Sequence, residues 1–260
     1  MTETTSRFLP GTFTPDPRPA SRAAMLAAQT TLELKLLLRN GEQLLLTMFI
    51  PITLLVGLTL LPFGEFGEHR VDKVVPMVMM TAVMSTAFTG QAIAVGFDRR
   101  YGALKRLGAT PLPRWGVIAG KCAAVLIVVV LQALLLGLIG VALGWRPGLG
   151  GLALGALVIA LGTATFAAMG LLLGGTLKAE VVLALANIFW FVMLGIASLV
   201  LVSDSLPTAL TVLVRLVPSG ALAFALEAAL SGAVDWLGVA VLAAWGVVCG
   251  ALATRLFRFS

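Results

Sequence analysis

The chain alternates long apolar runs with short polar joints. Apolar residues dominate six stretches, roughly 43–62, 74–96, 116–143, 152–176, 181–203 and 235–256. At about 1.5 Å per residue, some twenty helical residues cover about 30 Å, the thickness of a bilayer's hydrocarbon core. Each run therefore predicts one transmembrane helix, and the third is long enough to tilt or project. Pro51 and Pro76 fall near the first turns of their runs, where a missing N–H costs least. The pattern predicts an all-α membrane protein with six spans over 43–260 and no internal repeat.

The joints differ from one another. Residues 1–21 are polar and Pro-rich and read as a flexible tail, with no signal peptide. The stretch SRAAMLAAQTTLELKLLLRNGE (21–42) starts on a capping serine and stops at Asn40-Gly41. Arg22, Glu33, Lys35 and Arg39 make it too charged to span. It predicts an amphipathic helix over 22–42, lying at the membrane interface. Before the last run, 204–234 is apolar but broken by Pro207, Pro218 and several glycines. Neither half is long enough to cross, so two short helices are expected over 206–231. They would dip into the outer leaflet or cap an opening as an outer gate, with Pro218 and Ser219 at its centre.

Composition sharpens this picture. Of 260 residues, 59% are hydrophobic and only 12% charged, about half the charged share of an average soluble domain. Lipid must cover much of such a surface. The net charge of +6 does not point to nucleic acid, because the basic residues sit in joints between apolar runs. Counted by side, fourteen of the 18 lysines and arginines fall with the two termini and four fall opposite. That asymmetry places both termini on the cytoplasmic side of a cell membrane, and the Ala-, Gly- and Arg-rich usage points to a bacterial source.

Candidate catalytic groups are few. Cys122 and Cys249 stand apart, without metal or disulfide spacing, and read as buried small residues. His69, the single histidine, sits in a charged loop without companions for a metal. WGVIAGKC (115–122) imitates a phosphate-binding loop, but only three residues separate its glycines and Cys122 replaces the needed hydroxyl. The chain is therefore expected not to hydrolyse ATP. The span centres carry almost no ionisable groups, which argues against an ion-coupled transporter, and no filter-like stretch supports a channel. Weakly polar and aromatic residues remain as candidates to line a pathway. Ser85 and Thr89, with Thr81, Thr86 and Gln91, lie in the second run. Asn187, Trp190 and Met193, with Ser198, lie in the fifth. Interhelical hydrogen bonding is the plain reading of each. As a set they fit an amphipathic or lipid-like substrate.

One joint is more ordered than topology requires. GFDRRYGALKRLGATPLPRWGVIAGK (96–121) holds six of the chain's basic residues. Set on a helix over 97–108, Phe97, Tyr101, Leu104 and Gly108 share one face, Leu107 joins it, and Asp98, Arg99, Arg100, Lys105 and Arg106 fill the remainder. ATPLP then breaks the helix, and Arg114-Trp115 marks the interface. The physics leaves two readings open: a helix that docks a partner, or one that lies on the membrane.

The stretch resembles the loop between spans 2 and 3 of ABC-2 type permeases, the membrane subunits of ATP-binding-cassette exporters. The matching positions are Asp98, Arg99-Arg100, Gly102-Ala103-Leu104, Leu107, Pro111 and Gly120-Lys121. Asp98 stands where the family often has Glu, and Ala103 where it often has Thr. ATPLPRW is similar to the antibiotic and multidrug branch, including daunorubicin-type permeases, and LVPSGAL (216–222) fits the layout. The resemblance implies a coupling helix at 97–108, with Asp98, Arg99, Arg100, Tyr101, Gly102, Leu104, Lys105, Arg106 and Leu107 meeting an ATPase subunit. GGTLKAE (174–180) would be a second contact. It further implies two ATPase copies carrying ATP and Mg²⁺, a second permease chain, identical or related, and no cofactor bound by this chain. On this reading Leu104→Asp is expected to lower ATPase association without blocking membrane insertion. The alternatives are a lipid, glycan or haem exporter of the same family, or a non-transporting membrane scaffold or sensor.

Overall fold

The structure, a computed structural model, describes residues 12, 20–61, 70–200 and 207–257. The expected N-terminal tail, apart from Thr12 and residues 20–21, and the loop holding His69 lie outside them. Helices account for almost all of the described chain: α1 (Arg22–Arg39), α2 (Gly41–Leu60), α3 (Arg70–Val83), a π-helical segment (Met84–Gly90), α4 (Gln91–Arg100), α5 (Ala103–Gly108), α6 (Arg114–Ala142), α7 (Leu149–Thr176), α8 (Ala179–Ser198), α9 (Thr208–Leu216), α10 (Pro218–Leu230) and α11 (Trp236–Leu256).

Five helices are long and apolar enough to cross a membrane: Arg70–Arg100, which joins α3, the π segment and α4, then Trp115–Ala142, Leu149–Thr176, Ala179–Ser198 and Trp236–Leu256. A sixth is reached if α9 and α10, bent by 101° at Val217, are taken as one broken span. The run expected at 43–62 corresponds to α2, whose apolar portion is the shorter Thr47–Leu60. The two short helices expected over 206–231 are α9 and α10. Pro218 opens α10 at its first turn, where proline's fixed φ suits a helix start.

Burial separates a core from a lipid-facing shell. The Arg70–Arg100 span is the most enclosed, and α6, α8 and α11 turn large apolar side chains such as Leu134, Leu138, Val192 and Val247 outward. Such a shell is stable only against hydrocarbon. At the centre α7 packs against the π segment, α4, α10 and α11. The approach to α4 is close enough to need glycine. A Cβ on Gly174 would stand 2.4 Å from the Ala92 carbonyl oxygen, and one on Gly170 2.7 Å from that of Phe88. These two glycines, four residues apart, form a small-residue face that lets two backbones touch.

Candidate functional site

The basic joint is not one helix. The second span continues through Arg100 as α4, and Tyr101-Gly102 breaks it, with Gly102 at φ +72°, a conformation favoured by glycine. A separate six-residue helix, α5, follows. The helix expected over 97–108 is therefore the last turn of a span, a sharp corner and a short surface helix.

Its charged residues divide between inside and outside. Asp98 turns inward, and Lys121 Nζ donates to Asp98 Oδ2 at 2.7 Å and to Glu33 Oε2 at 2.9 Å. The Lys121 side chain is only 3% exposed. Gln29 Nε2 donates to the other Glu33 oxygen at 2.7 Å. This network ties α1, α4 and α6 together. An ammonium taken this far from water must be paired, and two carboxylates supply that pairing. Arg99 reaches the other way and donates to the Gly174 and Leu177 carbonyls at 3.1 and 3.0 Å. These oxygens lie in the last turn and C-cap of α7, where a cation meets both unfilled acceptors and the negative end of the helix dipole. Arg100 pairs with Glu180 at the start of α8, but both side chains are at least half exposed, so this bridge contributes little. The α4–α5 corner thus lies beside the 174–180 loop.

Leu104 corrects its sequence-based placement. It is fully buried, in a cluster with Val95, Val117, Leu171, Ala253 and Phe257. The apolar stripe of α5 faces the chain's own helices, because α6, α7 and α11 converge there and supply an apolar cover. Leu107 packs half-buried on the same cluster. The outward surface is made instead of Tyr101, 71% exposed, with Lys105, Arg106 and Gly108.

The pathway candidates fall mostly in one place. Ser85, Thr89, Asn187 and Trp190 line an open cleft of about 520 Å³ together with residues of α2 such as Thr47 and Ile50. Trp190 Nε1 donates to Ser85 Oγ at 3.0 Å, and Ser85 Oγ in turn donates to the Thr81 carbonyl at 2.9 Å. Thr81 Oγ1 donates to the Met77 carbonyl at 2.8 Å. The π segment carries Ser85, Thr86 and Thr89, and such segments recur at functional sites because they re-aim side chains. Thr89 Oγ1 is buried without a hydrogen-bond partner. Asn187 is exposed and donates to the Leu183 carbonyl at 2.8 Å. Met193 does not line the cleft. It packs in the main core, since its position turns it toward the bundle rather than toward α2. Ser198 donates to the Gly195 carbonyl of its own helix at 2.7 Å.

A second cavity, about 380 Å³, adjoins the first, and Asn40 and Ile93 line both. Glu33, Gln91, Phe97, Asp98 and Lys121 contribute to its walls. Gln91, among the sequence candidates, belongs here rather than in the cleft. Thr86 is buried elsewhere and donates to Gln132 Oε1 at 3.0 Å, while Gln132 Nε2 donates to the Thr47 carbonyl at 3.1 Å. Sequence reasoning missed Gln132, Glu33 and Lys121 as internal polar groups. The available signal for α1 was Gln29 and Glu33 four residues apart, one face of a helix.

At the opposite end, Pro218 and Ser219 are buried inside the α9–α10 bend. Ser219 Oγ has no hydrogen-bond partner. Arg215 links the bend to α11, pairing with Asp235 at 3.2 Å and lying 4.3 Å from the centre of the Phe224 ring. Among the described residues, no group of three or more His, Cys, Asp or Glu is placed to hold a metal ion.

Residues 63–255 match the model of a protein family described as ABC-2 family transporter protein. The match covers most of the chain, and the chain belongs to that family. It is accordingly a multi-pass membrane protein and the membrane component of an ABC transporter, a subunit that is not itself catalytic. Members of this family generally work with an ABC ATPase. No curated protein matches the chain.

Proposed function

We propose that this chain is the permease of an ATP-driven exporter that moves a hydrophobic or amphipathic, drug- or antibiotic-like substrate out of the cytoplasm. Two ATPase subunits holding ATP and Mg²⁺ would act on it, and a second permease chain, identical or related, would complete the pathway. The observation that carries this reading is the cleft itself. Residues from α2, the π segment and α8, far apart in sequence, enclose one mainly apolar space with a few hydroxyl, amide and indole groups. That lining suits an amphipathic ligand and offers no strong charge to a polar solute. The cytoplasmic side follows from the excess of lysine and arginine at the α4–α5 end.

The ATPase would meet the exposed corner: Tyr101, Lys105 and Arg106, with the neighbouring 174–180 loop as a second contact. Co-purification of the tagged chain with its ATPase tests this. Lys105→Glu with Arg106→Glu is expected to reduce ATPase recovery about tenfold or more, because reversed charge at a docking surface both removes attraction and adds repulsion. Thermal stability of the permease should stay unchanged, since both side chains are exposed. Full recovery of the ATPase with this double variant would refute docking at the corner.

A further inference from the structure

We propose that the cavity around Glu33, Asp98 and Gln91 receives the ammonium headgroup of an amphiphile whose apolar tail lies in the adjoining cleft. The proposal rests on reading the cleft as the substrate pathway, and it names the substrate class.

Three observations converge. The first is charge. The cavity walls hold two carboxylates, Glu33 and Asp98, and a single cation, Lys121. Lys121 bonds to one oxygen of each, and Gln29 takes the remaining Glu33 oxygen. Asp98 Oδ1 is left over on a side chain one-third exposed. The site therefore carries one uncompensated negative charge beside apolar walls, which draws a cation and repels an anion.

The second observation is an unused donor. Gln91 is only 4% exposed and its Nε2 has no acceptor. A buried amide N–H left without a partner is costly, so the site calls for an oxygen acceptor, which a ligand oxygen can supply in place of water. Asp98 and Gln91 together describe a headgroup with an ammonium and a nearby hydroxyl or ether oxygen. The third is continuity. Asn40 and Ile93 belong to both cavities. A headgroup at Asp98 would lie beside the cleft, with its tail directed past Ile93 toward Ile50, Trp190 and Phe191.

The full chain in neutral phosphatidylcholine nanodiscs tests this with three probes: 2-aminododecan-1-ol, its N-acetyl derivative and dodecylamine. Saturable binding above empty nanodiscs is the readout. The amino alcohol is expected to bind about tenfold or more tightly than the uncharged N-acetyl compound, the usual scale for a charged hydrogen bond. Asp98→Asn should remove that preference and leave the N-acetyl compound unaffected. Gln91→Leu should weaken the amino alcohol but not dodecylamine, which has no oxygen for the amide. Equal binding of the amino alcohol and N-acetyl probes by the wild type would overturn the headgroup site while leaving the cleft reading intact. Binding of none of the three would overturn the cleft reading, and the headgroup site with it. Should Asp98→Asn prove poorly folded, Gln91→Leu decides, because it leaves every ion pair in place. An unchanged probe ranking in that variant refutes the site.

Discussion

The two ends of the helical bundle handle charge in opposite ways. At the α4–α5 end, Lys121 lies almost wholly inside, held between Glu33 and Asp98. At the α9–α10 end, Arg215 and Asp235 form a single pair in which the arginine is about a third exposed. The first arrangement binds three helices through one ammonium. The second pins a bend whose packing is mainly apolar apart from the buried Ser219. A buried charge network makes its helices interdependent, because removing one member strands the others. In the second pair only the arginine can relax into water, while Asp235, 10% exposed, stays inside, so the dependence is confined to one carboxylate.

This contrast predicts a graded series of losses. Lys121→Met should be the most damaging. It leaves two carboxylates unpaired beside apolar walls, and breaking such a network costs about 3–5 kcal/mol. The expected result is a large drop in folded yield and in Tm, measured after gentle detergent extraction. Leu104→Ala comes next. It opens a cavity where α5 seals against α6, α7 and α11, at a cost of about 2–5 kcal/mol depending on how far the site collapses. Thermal unfolding of the purified chain measures it. If this variant were fully stable but lost its ATPase, Leu104 would be a docking residue after all. Arg215→Ala should be mildest of the three, about 2–3 kcal/mol, because it strands one nearly buried carboxylate, Asp235, instead of two, and loses a cation–π contact. A loss as large as that of Lys121→Met would abolish the distinction between the two ends.

Much of the architecture was legible because lipid imposes simple rules. Long apolar runs announced the spans, and Pro207 and Pro218 announced the short helices α9 and α10. Ser85, Thr89, Asn187 and Trp190 stood out as polar or amphipathic groups in apolar runs, and they do share a cleft. Three things were hidden. The Lys121 pairs join residues 88 and 23 positions apart, and no local pattern encodes such distances. Lys121 looked like a topology signal because it follows a basic joint. Gly170 and Gly174 lie in a run so rich in glycine that their close approach to α4 has no distinct signature. The facing of α5 was misread for a related reason. An amphipathic stripe tells that Leu104 needs an apolar cover, but not whether that cover is a partner protein or the chain's own α6, α7 and α11.

The π segment has a consequence for helical phase. A residue added to an α-helix turns everything after it by about 100° around the axis. Met84–Gly90 sets that phase for α4. With it, Asp98 points to Lys121 and Arg99 to the end of α7. Winding the same residues as a regular α-helix, with tighter turns, would keep every one of these side chains yet rotate both away from their partners. The polar network therefore depends on a length of backbone that takes no part in it, and the angular setting of α4 is written two to four turns upstream of the charges it aims.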